Sequence, residues 1–169
     1  LARRHGARVV FWLRNMSYTA ADVFRDVDGI LVPSRFAAEH YRRTLGLSCT
    51  PLASPLDWSR LACDRVEGHY VTFVNPQPTK GVVLFARIAH ELWHRRPDVP
   101  LLVVEGRGKA PWLARAGLDL SGVGNLNRMA NTPDPRHFYR VSRLVLVPSL
   151  WRETFGRVPA EALLNGIPV

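Results

Sequence analysis

The chain has 169 residues, of which 47% are hydrophobic and 22% are charged, and its formal net charge is +9. This composition is typical of a globular protein and excludes a disordered chain. No apolar run approaches the roughly 18 residues that a membrane-spanning helix needs. There is also no secretory leader, so we expect a soluble or peripheral cytoplasmic protein. The positive net charge favours anionic partners such as phosphates, acidic lipids or nucleic acid. Basic residues scattered over the surface would give the same net charge.

The ends of the sequence indicate whether the chain is complete, and its cysteines indicate the state of its thiols. The chain opens at Leu1 without a Met, and its last four residues, Gly-Ile-Pro-Val, are typical of the entry to another strand. We therefore expect a fragment of a longer protein. Cys49 and Cys63 are the two cysteines, and they form no Cys-x-x-Cys pair. Reduced thiols are the prediction, with neither a zinc ribbon nor a disulfide framework.

Short apolar runs alternate with helix-length amphipathic stretches, which is the pattern of a parallel sheet covered by helices. Ser34 is the predicted cap of the first helix and Gly46 its end. Further along, strand, crossover helix and strand form a βαβ unit, with Lys80-Gly81 opening the helix. We predict strands over 9–13, 29–32, 70–74, 100–104, 127–129 and 144–147, and helices over 35–45, 80–96, 112–116 and 135–141.

A proline-rich connection divides the predicted elements into two α/β halves. We assign 1–57 to a first domain, 58–68 to a linker and 69–169 to a second domain. The segment Leu31-Val32-Pro33-Ser34 recurs as Leu146-Val147-Pro148-Ser149, each time at the end of a predicted strand. The shared position favours two structurally similar halves over a chance match of four residues.

Two carboxylates flank a glycine turn near the end of the sequence. Glu153 and Glu161 are eight positions apart, with the turn Thr154-Phe155-Gly156 between them and Pro159 in the first turn of a predicted helix. We place Glu161 in that first turn as well. A carboxylate accepts hydrogen bonds from both hydroxyls of a vicinal diol, and the amides of a helix start attract phosphate. The alternative is a pair of solvated surface charges.

This segment resembles the nucleotide-binding signature of retaining GT-B-fold glycosyltransferases of family 4, also described as glycosyl transferases group 1. In that family a Glu is followed by Phe-Gly and then by a second Glu. The resemblance implies that Glu153 lies by the donor sugar and that the turn with Thr154, Phe155 and Gly156 faces sugar and phosphate. It also implies that Glu161 holds the ribose hydroxyls of the nucleotide.

Lys80 and Gly81 are the second candidate part of the site. The Lys80 ammonium and the amides of the following helix converge on one predicted anion site, which a diphosphate fits. The family resemblance implies an Arg five residues before this Lys, but Asn75 stands there. Lys80 then carries more of the phosphate binding, or another basic residue substitutes. The alternative for Lys80 is a solvated lysine at a helix start.

Other motifs point to weaker sites. Gly106-x-Gly108 resembles the family's second glycine turn, with a plain tight turn as an equal alternative. The segment from His90 to His94 spells the helical zinc-protease pattern His-Glu-x-x-His, but its polar residues share an arc with arginines, so we expect a solvated face. Asp26-Val27-Asp28 matches a metal-chelating Asp-x-Asp, yet it precedes a buried strand without further ligands. We predict no metal.

The remaining polar and aromatic candidates stay open or are predicted to be structural. Arg14-Asn15 ends the first predicted strand, where it either faces the donor or acceptor or caps the strand. We interpret Tyr139, Arg143 and Trp151 as packing or surface residues.

The resemblance as a whole implies a GT-B architecture, present as the end of an N-terminal Rossmann-like domain and most of a C-terminal donor-binding domain. It implies a hexosyltransferase-like enzyme that moves a sugar from a nucleoside-diphosphate-sugar to a glycan, lipid or small-molecule acceptor with retention. Glu153 and Lys80 are its candidate catalytic residues, and no metal or cofactor is needed.

We expect the isolated chain to be inactive. Peripheral contact with an anionic membrane at its inner face fits the charge, and no specific nucleic acid is expected. The alternatives are a non-catalytic nucleotide-binding domain of this type, a basic nucleic-acid-binding module and a zinc hydrolase.

Overall fold

The computed structural model describes residues 2–64, 67–107, 120 and 122–169. The helix predicted over 112–116 and the second glycine of the pair, Gly108, lie outside the described residues. The chain forms two compact units. The first contains Leu1–Pro55 with Arg152–Gly156, and the second contains Leu56–Trp151 with Arg157–Val169. The domain boundaries inferred from the sequence stay a prediction.

The first unit is a three-stranded parallel sheet with one α-helix. Its buried side chains come from the strands, the helix and the loop between β1 and β2, and they form one apolar cluster. The strand order is β1-β2-β3, and Phe11 pairs with Ile30. The elements are β1 (Val10–Trp12), β2 (Gly29–Val32), α1 (Arg35–Leu45) and β3 (Thr50–Pro51), with 3-10 turns at Ala2–His5 and Ala21–Phe24.

Both predicted ends of α1 are confirmed. The Ser34 Oγ accepts the backbone N–H of Ala37 at 3.1 Å, which satisfies a helix-start amide. Gly46 ends the helix at a φ of 66°, in the left-handed region that glycine enters without a Cβ clash. The buried Tyr41 donates its hydroxyl to the Asn15 carbonyl at 2.7 Å, so the helix also holds the loop after β1.

The second unit is a four-stranded parallel sheet in the order β6-β5-β4-β7. In chain order its elements are α2 (Trp58–Leu61), β4 (Tyr70–Val74), α3 (Val82–Arg95), β5 (Leu101–Val104), β6 (Leu126–Met129), α4 (Arg136–Tyr139), β7 (Ser142–Leu146) and α5 (Arg157–Leu164). The chain builds outward from β4 through β5 to β6 and then returns to β7 on the other side of β4. The strand order therefore reverses between β4 and β7, where a parallel α/β sheet opens a crevice at the carboxyl ends of its strands.

Helices cover both faces of this sheet, which explains why every residue of β5 is apolar. All four residues of β5 are buried. On one face, Phe73 of β4 stacks on Phe85 of α3 with ring centroids 4.6 Å apart. On the other face, α4 and α5 contribute Tyr139 and Ala162 to a second core cluster. Along the described residues, every helix is too short or too polar to cross a membrane.

Two predictions for the last part of this unit need correction. β7 begins at Ser142 rather than 144, because a buried polar pair holds its start. The Ser142 hydroxyl donates to the Phe138 carbonyl at 2.7 Å and lies 2.6 Å from the Thr72 hydroxyl. The last helix begins at Arg157, so Pro159 is in its first turn as predicted. The placement of Glu161 in that turn is wrong, since it is the fifth residue of α5.

Candidate functional site

The loops that follow β4 and β7 run side by side at the crevice of the second unit. The backbone amides of Leu150 and Trp151 both donate to the Thr79 carbonyl, at 3.0 and 3.1 Å. Gly81 has a φ of 82°, and a Cβ at this position would overlap the carbonyl of Pro148. Glycine is therefore required here for two reasons: its backbone is left-handed, and the second loop passes too close for a side chain. These contacts join two segments that are about 70 residues apart in sequence.

Lys80 lies at the end of a 3-10 turn, Pro78–Lys80, and Gly81 separates it from α3. The amides of Lys80 and Val82 donate to the Gln77 carbonyl at 3.0 and 3.2 Å, and the Gly81 amide donates to Pro78 at 3.0 Å. These three amides are hydrogen-bonded within the turn, so the half-buried Lys80 side chain carries the positive charge at the start of α3. The helix predicted over 80–96 therefore begins two residues later, at Val82.

Asn75 has a positive φ of 65°, the one non-glycine residue in the described ranges with this conformation. Asparagine enters the left-handed region more readily than most residues, because its short side chain bonds locally. A Cβ on Gly106 would lie 3.0 Å from the Asn75 Oδ1, so the two loops touch. Gly106 thus permits a close backbone passage beside Asn75.

Glu161 is a buried carboxylate, with 6% of its surface exposed. Its Oε2 accepts the Tyr139 hydroxyl at 3.0 Å. Its Oε1 accepts a hydrogen bond from the Arg157 Nε at 3.0 Å, and the Nη2 of the same guanidinium lies 2.8 Å from this oxygen in an ion pair. Burying a charge is costly unless it is paired and hydrogen-bonded, and each oxygen here has a donor. The alternative of a solvated surface charge is therefore wrong for Glu161.

Tyr139 and Arg157 hold this carboxylate in different ways. Tyr139 is fully buried, and burial, followed by the charge of Glu161, raises the pKa of its hydroxyl. It therefore stays a neutral donor. The Arg157 side chain is 61% exposed and begins α5, where a cation opposes the helix dipole. The pairing with Glu161 offsets that unfavourable position.

A cavity of about 310 Å³ opens beside Glu161. It lies at the carboxyl ends of β4 and β5, and it combines apolar walls with a few polar groups, as small-molecule sites do. Among the residues that line it are Val74, Val104, Glu105, Gly106, Arg157 and Glu161.

The turn predicted to face sugar and phosphate belongs to the first unit. The Thr154 Oγ1 donates to the Arg14 carbonyl at 2.7 Å, and the Ser34 hydroxyl donates to the Thr154 carbonyl at 2.5 Å. Gly156 is buried with a φ of 75°, while Glu153 and Phe155 are half-buried. The backbone of this turn is thus fixed within its own unit.

Arg14 and Asn15 have structural contacts in the same unit. The Arg14 guanidinium lies 5.3 Å from the ring centroid of Trp12. The Asn15 Oδ1 accepts the Ser17 amide at 2.9 Å, which closes a turn after β1. Whether either residue faces the donor or the acceptor stays a prediction.

The two metal-like motifs are engaged in local contacts. His94 donates its Nδ1 proton to the His90 carbonyl at 2.8 Å, and Glu91 pairs with Arg95 at 3.2 Å. Asp28 accepts the Val9 amide at 2.7 Å and so anchors the start of the first sheet. In the described part of the chain, no three His, Cys, Asp or Glu residues come together as a metal site would require.

Sequence reasoning missed two partners of Glu161. Tyr139 is packed, as expected, but its hydroxyl also binds the carboxylate, and only the fold brings α4 against α5. Arg157 could have been found, since it lies four residues before Glu161 and faces it on one helix surface. Arg143 and Trp151 are exposed, in agreement with the expectation for them.

Solved structures show the same fold over almost the whole chain. HepE from Anabaena, in complex with UDP and glucose, covers 99% of this chain with a TM-score of 0.78 and 17% identity, and the match spans 53% of that protein. A glycosyltransferase from Rickettsia africae covers 98% with a TM-score of 0.75 and 14% identity, over 51% of its length. The parallel sheets and helices match GT-B glycosyltransferases, which confirms the predicted fold class.

A curated relative gives a similarity in sequence. The lipopolysaccharide 1,2-N-acetylglucosaminetransferase of Salmonella typhimurium is 28% identical over 145 residues, which are 80% of this chain and 36% of the relative. The chain thus spans about a third to a half of the length of the proteins that it matches. The model of the family described as glycosyl transferases group 1 matches residues 68–169, well over half of the sequence. The chain belongs to the glycosyl transferases group 1 family.

Proposed function

We propose that the protein containing this chain transfers a sugar from a nucleoside-diphosphate-sugar donor to an acceptor. One observation carries this proposal most directly. A buried, hydrogen-bonded carboxylate, Glu161, faces a cavity at the carboxyl ends of parallel strands, where α/β sheets bind nucleotides. Membership of the family and the UDP found in the Anabaena structure support the same donor class.

Within the second unit, the proposed roles follow from charge and hydrogen-bonding capacity. Glu161 accepts the ribose hydroxyls, because Oε2 keeps acceptor capacity beyond the Tyr139 hydroxyl and the exposed Arg157 can release Oε1. Lys80 stabilises the negative charge that develops on the departing diphosphate. Asn75 and Gly81 shape the loop that presents Lys80, and Asn75 supplies a neutral side chain where the family resemblance implies an Arg.

The turn of the first unit has a proposed role at the sugar. Glu153 lies by the donor sugar, and the backbone of Thr154, Phe155 and Gly156 faces sugar and phosphate. The family resemblance supports this assignment, and the hydrogen bonds of Thr154 with Arg14 and Ser34 give the turn a defined backbone.

The proposed reaction is retaining, as in family 4. The bond between the sugar C1 and the diphosphate oxygen breaks, and a bond from the acceptor oxygen forms on the same face. The acceptor proton leaves with the diphosphate. This step uses neither a protein nucleophile nor a metal or cofactor. A glycan, lipid or small molecule is the acceptor, and we propose a cytoplasmic protein that also contacts the inner face of a membrane.

A donor screen tests the assignment. Binding of UDP-, GDP- and ADP-sugars to the chain would be followed by saturation-transfer NMR and calorimetry, which detect weak complexes. We expect Glu161→Ala and Lys80→Ala each to weaken binding of the preferred donor about tenfold or more, the loss typical of a charged hydrogen bond. Glu91→Ala and Arg87→Ala, two exposed positions of α3, are the matched controls.

The site assignment is wrong if the Glu161 and Lys80 variants bind the donor as well as their controls do. The donor class is wrong if none of the three nucleotide-sugars binds the wild-type chain.

A further inference from the structure

Glu161 has one buried partner and one exposed partner. The Tyr139 ring is fully buried among the core of the second unit and lies 4.4 Å from Phe138 between ring centroids. The Arg157 side chain is 61% exposed, so it can exchange its carboxylate contact for water or ligand. Tyr139 is therefore the contact that keeps the carboxylate in one orientation.

The hydroxyl of Tyr139 has a defined acceptor. It lies 3.0 Å from the Glu161 Oε2 and 3.4 Å from the Val158 carbonyl, and the shorter contact is to the charged oxygen. A hydrogen bond to an ionised acceptor is the stronger of the two. The single hydroxyl proton thus points at Oε2.

Tyr139 acts through Glu161 and not on a ligand. The cavity is lined by Glu161, Arg157 and Phe138, whereas Tyr139 is absent from its lining. Its hydroxyl takes one acceptor position on Oε2, which sets the plane of the carboxylate. The remaining acceptor positions of that plane are those that a diol in the cavity would meet.

We propose that Tyr139 is a positioning residue that aligns the Glu161 carboxylate with a ribose diol and so makes the site selective for ribonucleoside over 2′-deoxyribonucleoside diphosphates. This inference rests on the proposed function, because it assigns Glu161 to ribose. It goes beyond that function by giving Tyr139 a role and by predicting a preference for ribonucleotides. A carboxylate with only Arg157 as partner would rotate, and its match to two adjacent hydroxyls would be lost.

The test compares binding of UDP and 2′-deoxy-UDP to the wild-type chain, Tyr139→Phe and Glu161→Gln. We expect the wild type to prefer UDP about tenfold or more, and Tyr139→Phe to remove most of that preference by weakening UDP alone. Tyr70→Phe is the matched control, since Tyr70 packs against the same core cluster. The double variant Tyr139→Phe with Glu161→Gln should bind UDP no more weakly than Glu161→Gln by itself.

The outcomes separate this inference from the proposed function. If Glu161→Gln abolishes the preference for UDP while Tyr139→Phe retains it, the positioning role is overturned and the ribose site stands. Equal losses for both nucleotides in Tyr139→Phe also overturn it, because a merely structural role would lower both affinities. A wild-type chain that binds neither nucleotide, or both alike, overturns the ribose site and this inference together.

Discussion

Replacing Gly81 by alanine tests the junction between the loops after β4 and β7. The φ of 82° at Gly81 places an added Cβ against the Pro148 carbonyl. The left-handed conformation costs a residue with a Cβ about 1–2 kcal/mol. Relief of a backbone overlap by local shifts costs about 1–3 kcal/mol more, as overpacking does. The sum predicts that Gly81→Ala lowers the free energy of unfolding by about 2–5 kcal/mol.

Gly46→Ala provides the matched control for this prediction. Gly46 has a similar φ of 66°, but nothing lies within 4 Å of its added Cβ. We therefore expect it to show only the conformational cost, about 1–2 kcal/mol. Urea denaturation followed by far-ultraviolet circular dichroism measures both variants against the wild type. Because Gly81 and Gly46 belong to different units, separate transitions would be fitted separately.

The comparison of the two glycine variants decides whether the Pro148 carbonyl constrains position 81. If Gly81→Ala costs no more than Gly46→Ala, the Pro148 carbonyl does not constrain this position, and the joined loops are not a rigid part of the site. A larger loss for Gly81→Ala, together with weaker donor binding, is the expected result, since the same contact holds the turn that carries Lys80.

Two further predictions concern ion pairs. Arg157→Leu should lower the free energy of unfolding by about 1 kcal/mol in urea denaturation, because its guanidinium is mostly exposed but its partner Glu161 is buried. Arg60→Leu, which breaks the exposed pair with Asp57, is its control, and equal losses in the two variants would contradict the special role of Arg157. The hydrogen bonds from Arg136 lower the pKa of Asp134 from 3.8 to about 2. This carboxylate therefore contributes stability above pH 3.8 that is lost as the pH falls through about 2. An NMR titration of Asp134 should move back toward 3.8 in Arg136→Ala, and an unchanged midpoint would exclude Arg136 as the cause.

The predictions that depend on neighbouring residues alone agree with the structure. The bounds of α1 follow from the side-chain cap at Ser34 and from the left-handed glycine at Gly46, both of which involve neighbouring residues. The strand Tyr70–Val74 follows from a short apolar run. Such features can be predicted because the forces that cause them act over a few residues.

The elements that sequence reasoning misplaced depend on distant partners. In the sequence, Ser142 is a polar residue outside the apolar run, so the predicted strand began later. In the fold, Ser142 begins β7, because Thr72 and Phe138 satisfy its hydroxyl inside the core. Glu161 reads as a residue of the first helical turn, but α5 begins earlier, at Arg157.

By itself, the sequence determined the class of the fold, the glycine turn between Glu153 and Glu161, and the candidate residues Lys80, Gly81 and Asn75. The class and the turn follow from periodicity and turn chemistry, and Lys80 and Gly81 follow from their place between a strand and a helix. Asn75 follows from the family resemblance, which implies an Arg at its position. Only the tertiary structure decided which groups meet: Gly81 with Pro148, Asn75 with Gly106, and Tyr139 with Glu161. The physical reason is that burial and hydrogen bonding between elements depend on the order of strands in the sheet, which no local pattern records.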